Sequence, residues 1–231
     1  MKHRNCSFSQ IKRISDAVYE EAERRANLLP IHKNSHRGAE ANLIGCLGEV
    51  LAENWMSKMG IKFASKLSQT KFDYLINDTL TLEIKTKDRT CRPRIDFDNT
   101  APLYNHAHQR PDYFLFISLQ RNKRDVSMPF LCRFKTAYIV GGISCEELDR
   151  IGIPFFKGEQ DWRNGTSFWT DCLNVENWQL VPLFEMVEIL QGNKHKASEG
   201  ASINVKIIHE MCSRIEAGLL RPRNLPLNIN Q

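Results

Sequence analysis

The sequence predicts an α/β protein: a mixed central sheet flanked by helices, with a C-terminal helical extension. Three observations carry this expectation. Apolar residues recur at helical spacing before residue 60. From Ile61 the hydrophobic period switches to two, with turn residues between short apolar runs. Asp112 to Gln120 then forms a nearly continuous apolar run, as expected of a strand covered on both faces.

Taken in order, Ile11, Ile14, Val18 and Ala22 lie on one side of a helix expected over Ser9 to Asn27, with Ser9 in capping position. Leu28-Leu29-Pro30 closes it. A second helix is expected from Asn34 or Ser35 to Met59, ended by Gly60, with a broad buried stripe of Leu43, Ile44, Leu47, Val50, Leu51 and Trp55. Phe72 to Ile76 and Leu80 to Lys85 read as strands of a hairpin around Asn77-Asp78-Thr79. Lys87 to Asn99 reads as a polar, Arg-rich connection, and Leu103 to Arg110 as a short helix. After the buried strand come a strand at Phe134 to Gly141, a helix at Cys145 to Arg150, irregular strands over Phe155 to Leu180, and a helix at Leu183 to Leu190. Residues 1–190 are thus expected to form one domain with its core at 34–141. Residues 191–202 have linker composition, and 203–231 hold an amphipathic helix and tail able to pair two copies or fold back.

The composition narrows the function. The chain has 231 residues, 42% of them hydrophobic, and 32 Lys+Arg against 27 Asp+Glu, which describes a folded chain with a mild affinity for polyanions. No apolar run approaches the ~20 residues of a membrane helix, and MKHRNCSFSQ has no apolar stretch behind its charges. The seven cysteines are scattered, without metal-ligand spacing, as in a reduced cytoplasmic protein.

The hairpin carries the chemistry. A three-residue turn sets Phe72 opposite Ile84, Tyr74 opposite Leu82 and Ile76 opposite Leu80, which makes one apolar face. The same register sets Asp73 opposite Glu83, with Cβ atoms about 5 Å apart and Lys85 on the same side. Opposed carboxylates repel unless a cation lies between them. An all-oxygen pair suits Mg²⁺, with Mn²⁺ as a substitute, and an ammonium beside it can orient water or stabilise a crowded phosphorus centre.

These residues resemble the PD-(D/E)XK nuclease superfamily, the restriction-endonuclease-like fold, over about Asn34 to Ser118. That family takes a Glu from a core helix, an Asp from a strand and Glu-x-Lys from the next; here Gly48-Glu49, Phe72-Asp73 and Glu83-Ile84-Lys85 follow in that order. Phe72 stands where the family's nominal Pro would be. Asp112 to Ile117 is similar to the next core strand, and Tyr138-Ile139-Val140-Gly141-Gly142 to a later strand of phage- or mobile-element-encoded members. The resemblance implies Asp73 and Glu83 as metal ligands, with the Ile84 carbonyl and Glu49, directly or through water, completing the site, and Lys85 acting at the water. Gln109 lies near where some members carry a Gln. His106 and His108 flank it, as phosphate or proton-transfer contacts or as ordinary surface residues.

The implied activity is divalent-metal-dependent, endonucleolytic hydrolysis of DNA. Lys87, Arg89, Arg92 and Arg94 follow the catalytic strand and are expected to face phosphates. A noncatalytic DNA-binding or interaction module keeping the same fold is the competing expectation, and RNA cleavage a third.

Overall fold

The computed structural model describes residues 8–31, 37–66, 72–103, 110–122, 124–161 and 165–193. His106, His108, Gln109, the expected linker beyond residue 193 and the C-terminal helix lie outside these residues. Within them the protein is α/β, with a mixed six-stranded sheet flanked by helices.

The chain opens with β1 (Ser9–Ile11), α1 (Asp16–Ala26) and α2 (Ala39–Lys58). The expected first helix is therefore shorter than its apolar spacing implied. Ser9 to Ile11 pairs with a later strand, so Ser9 caps nothing, and the helix begins after Ser15. Next come β2 (Phe63–Ser65), β3 (Tyr74–Ile76), β4 (Leu80–Arg89), β5 (Asp98–Pro102) and β6 (Tyr113–Arg121). β7 (Phe134–Ser144), α3 (Cys145–Ile151), β8 (Ile153–Phe155), β9 (Cys172–Glu176) and α4 (Leu183–Leu190) complete the domain.

The large sheet runs β1-β7-β6-β4-β3-β2. Only β4 and β6 are parallel; their ladder joins Leu82 to Tyr113 and continues to Arg89 and Gln120. The β3–β4 register is the one required by the apolar pattern: Tyr74 faces Leu82, Leu75 faces Thr81 and Ile76 faces Leu80. Asn77 and Asp78 both adopt positive φ in the turn, a conformation their short polar side chains tolerate. Asn77 Nδ2 also donates to the Leu190 carbonyl at 2.8 Å, tying the turn to the end of α4.

Each face of the sheet buries its own core. Leu82, Ile84, Leu115, Ile117, Leu119 and Ile139 pack with α1, α2 and α4. Phe114, Phe116, Tyr138, Val140 and Ile143 pack with α3 and with residues of a second, antiparallel sheet ordered β5-β9-β8. The polar Lys87 to Asn99 stretch, expected to be a connection throughout, contributes the end of β4 and the start of β5. β4 runs four residues beyond Lys85, and the chain returns as β5 after a short link. β9 falls within the irregular strands expected over Phe155 to Leu180, whereas β5 carries no strand signal because Asp98, Asn99 and Thr100 are poor strand formers by composition. They are strands because β9 supplies partners for all five residues of β5.

α1 and α2 lie side by side and are joined across the core edge by a charged cluster. Arg25 clasps Glu53 at 2.7 and 2.8 Å, and the Tyr74 hydroxyl donates to the same Glu53 carboxylate at 2.9 Å. Glu53, one turn after Glu49 on α2, thereby joins α1, α2 and β3. No helix among the described residues is long and apolar enough to cross a membrane.

Candidate active site

β3 and β4 part company at the candidate site. Their ladder ends at the Tyr74–Leu82 pair, and the Asp73 N–H still donates to the Leu82 carbonyl at 3.1 Å. Beyond that point Phe72 does not pair with Ile84. The Asp73 carboxylate takes the place of the ladder, its Oδ2 accepting from the Ile84 N–H at 2.7 Å. The simple picture of Asp73 facing Glu83 across an unbroken ladder is corrected accordingly: Asp73 turns sideways onto the β4 backbone. A strand residue's N–H and C=O project to the same side, so the Ile84 carbonyl also faces the edge where Asp73 stands.

Glu83 and Lys85 alternate on one face of β4, and Lys85 Nζ lies 2.7 Å from Glu83 Oε1. The pair is largely enclosed, its side chains 8% and 18% exposed. Among the described residues, Asp73 Oδ1 and Glu83 Oε2 take no hydrogen bond.

α2 brings the fourth residue. A Cβ on Gly48 would lie 1.9 Å from Thr86 Oγ1, so only glycine lets the helix press this closely on β4. Glu49 is thereby set among the other acids. Burial raises its pKa to about 7, Arg25 opposes the rise, and the Glu83 and Glu53 charges add to it. Asp73 is pushed well above the ordinary carboxylate range, first by burial and then by Glu83 and Glu49, against the stabilising Ile84 N–H and Lys85. Glu49, Asp73, Glu83 and Lys85, drawn from three separate elements, thus share one electrostatic neighbourhood.

The donor set tests the fit of a hard divalent cation. Three carboxylates crowd together, with one ammonium beside them and two carboxylate oxygens uncommitted, so the cluster is short of positive charge. Among the described residues no three His, Cys, Asp or Glu side chains form a ready-made metal cage. Mg²⁺ does not require one, because it keeps several waters and takes one or two carboxylates. The residues present fit such an ion.

The basic residues divide by environment. Lys87 and Arg89 continue the row of Glu83 and Lys85 along the same face of β4. Burial pushes the Lys87 ammonium down to about 8, and Arg89 adds repulsion. Arg89 is engaged within the protein: Nε donates to Ser118 Oγ at 3.1 Å, Nη2 to the Asp98 carbonyl at 2.6 Å, and the guanidinium lies over Phe97. Arg94 is exposed and forks onto Asp96, while exposed Arg92 lies over the Tyr138 ring at 5.9 Å.

Several structural residues near the site carried no sequence signal. Asp88, whose side chain is 5% exposed, accepts from Arg37 at 2.6 Å and from Arg121 at 2.8 Å, tying the approach to α2 to β4 and β6. Cys46, Cys91, Cys132, Cys145 and Cys172 are thiols and form no disulfide among the described residues. No family model matches the chain, and no curated protein matches its sequence.

Proposed function

We propose that the protein is a divalent-metal-dependent nuclease of the restriction-endonuclease-like kind that hydrolyses DNA phosphodiester bonds endonucleolytically. The observation that carries the reading is the Glu83–Lys85 pair beside Asp73 at the point where β3 leaves β4.

Mg²⁺, or Mn²⁺ in its place, would supply Lewis-acid stabilisation of the charge that builds up on the phosphate oxygens. Asp73 and Glu83 would hold the ion through their uncommitted oxygens, with the Ile84 carbonyl beside them and Glu49 assisting from α2. The Ile84 N–H fixes the Asp73 carboxylate, so little side-chain freedom is left to lose on binding. Lys85, whose ammonium lies on Glu83, would orient the attacking water and donate to a phosphate oxygen in the transition state. Exposed Arg92, beyond the end of β4, would add positive charge for the phosphates of the DNA backbone.

A second reading, a noncatalytic DNA-binding module, is favoured by one specific feature. Glu83 and Lys85 already satisfy each other, and Asp73 already has the Ile84 N–H. Incubation with supercoiled plasmid, linear duplex and single-stranded DNA in Mg²⁺, Mn²⁺ or EDTA separates the two. The nuclease reading expects metal-dependent cutting that Glu83→Ala abolishes with the fold intact. Binding without cutting under every metal condition supports the module instead.

A further inference from the structure

Two ties fix α2 over the strands that carry the candidate site, one for each strand. The first is the contact of Gly48 with Thr86 on β4, the strand of Glu83 and Lys85. The second reaches β3 through Tyr74. This residue makes the last ladder pair before the strands part, with Leu82, and it is the chain neighbour of Asp73. Its ring is fully buried and packs edge-on against Phe63 of β2, with centroids 5.7 Å apart. The hydroxyl therefore emerges at a fixed point, and there it meets α2. It donates to Glu53 Oε1 at 2.9 Å and lies 3.5 Å from the Glu49 carbonyl oxygen. Those two residues bound a single helical turn, because positions i and i+4 of an α-helix lie one above the other.

The second tie matters because β3 brings only three residues to its ladder with β4. Toward β4, Asp73 keeps one backbone bond, from its N–H to the Leu82 carbonyl, besides the bond of its carboxylate to the Ile84 N–H. Neither bond reaches α2. The Tyr74 hydroxyl supplies the polar link from this strand to the helix that carries Glu49. Its acceptor is itself anchored, since Arg25 clasps Glu53 at 2.7 and 2.8 Å. A hydroxyl on a packed ring, bonded to a held carboxylate, makes a short, directional, charge-assisted contact. Such rigidity has a use at a magnesium site, because Mg²⁺ tolerates little departure from ideal ligand geometry.

We propose that Tyr74 is a positioning residue: its hydroxyl, held by Glu53, sets Asp73 on β3 at the separation from Glu49 on α2 at which both carboxylates serve one divalent cation. The assignment rests on the metal-dependent reading above. It extends the support of the site to a group that touches neither metal nor substrate.

The test compares Tyr74→Phe with Tyr19→Phe in the full chain. Both remove one buried hydroxyl and keep the ring. The Tyr19 hydroxyl donates to the Phe134 carbonyl at 2.7 Å and joins α1 to the start of β7, which carry no residue of the site. In Tyr74→Phe the Glu53 carboxylate keeps Arg25, so the variant is expected to fold. Glu53→Asp is a second route, because it keeps the charge and draws the acceptor back from the hydroxyl by one methylene. Mn²⁺ binding is followed without DNA by the electron paramagnetic resonance signal of the free ion, and the Mg²⁺ concentration at half-maximal cutting is measured separately.

Tyr74→Phe and Glu53→Asp are expected to weaken Mn²⁺ binding several-fold and to raise the half-maximal Mg²⁺ by a similar factor. KM for DNA should stay at the wild-type value, and kcat should largely recover at saturating metal. Tyr19→Phe should lose melting temperature and keep the wild-type metal affinity. Folded Tyr74→Phe with wild-type Mn²⁺ affinity, or an equal weakening in Tyr19→Phe, would overturn the positioning role and leave the hydroxyl a structural tie. Cutting by the wild type with an unaltered Mg²⁺ requirement in Tyr74→Phe removes the positioning alone. Mn²⁺ binding that Tyr74→Phe weakens, in a protein that cuts no DNA, keeps the positioning and removes the hydrolysis. A wild type that takes up no Mn²⁺ overturns both.

Discussion

Gly48 of α2 lies against Thr86 of β4 so closely that a Cβ on the helix would overlap the threonine hydroxyl, at 1.9 Å from Oγ1. Threonine Cβ and Cγ2 are each 2.9 Å from the same point. Gly48→Ala must therefore push the helix away from the strand, a distortion of the kind that costs roughly 1–3 kcal/mol. Urea denaturation should show that loss, and Thr86→Gly combined with Gly48→Ala should recover part of it. Because Glu49 moves with the helix, cutting by Gly48→Ala should fall even where the protein is fully folded.

Glu49 and Asp73 make metal-free stability depend on pH. A carboxyl whose folded pKa is raised holds a proton that the unfolded chain releases. Its stabilising contribution is fully present below the unfolded value, near 4.5, and is lost as pH rises toward about 7 for Glu49. Melting temperature in EDTA should fall across that window. Glu49→Gln should flatten the fall, and added Mg²⁺ should restore stability chiefly at the alkaline end, where the acids are ionised and able to bind it. An equal Mg²⁺ shift in Asp73→Ala would count against the proposed ligand set.

Arg25 and Glu53 offer a structural contrast. Their side chains are 20% and 17% exposed, and Arg25→Met would leave Glu53 facing Tyr74 without its bidentate partner. A loss of about 2 kcal/mol is expected in equilibrium unfolding, between the values for exposed and fully buried pairs. Arg25→Met with Glu53→Gln should lose less than the single change, as a double-mutant cycle would reveal.

Two arginines of the expected phosphate-facing set should behave differently. Arg92→Ala should leave the melting temperature unchanged while weakening DNA binding on any sequence and reducing its salt slope by about one. Arg89→Ala removes hydrogen bonds to Ser118 and to the Asp98 carbonyl. It should lower stability by roughly 1–3 kcal/mol, read by thermal or urea melts.

The sequence alone determined the hairpin register, because period-two alternation admits one pairing that gathers Tyr74, Ile76, Leu80 and Leu82 on a single face. It likewise located α2, β6 and α4, whose apolar patterns are long or strongly periodic, and it singled out Glu49, Asp73, Glu83 and Lys85. Local pattern could not show where β3 stops pairing, since Phe72 is as apolar as the residues that do pair. Only the tertiary structure turned Asp73 onto the Ile84 N–H and set Glu49 beside it through the Gly48–Thr86 approach. The same holds for β5: its residues have little strand preference, and a strand 70 positions away in sequence supplies their pairing. Periodicity records which side of an element is buried, whereas which polar groups meet depends on long-range packing that no local spacing encodes.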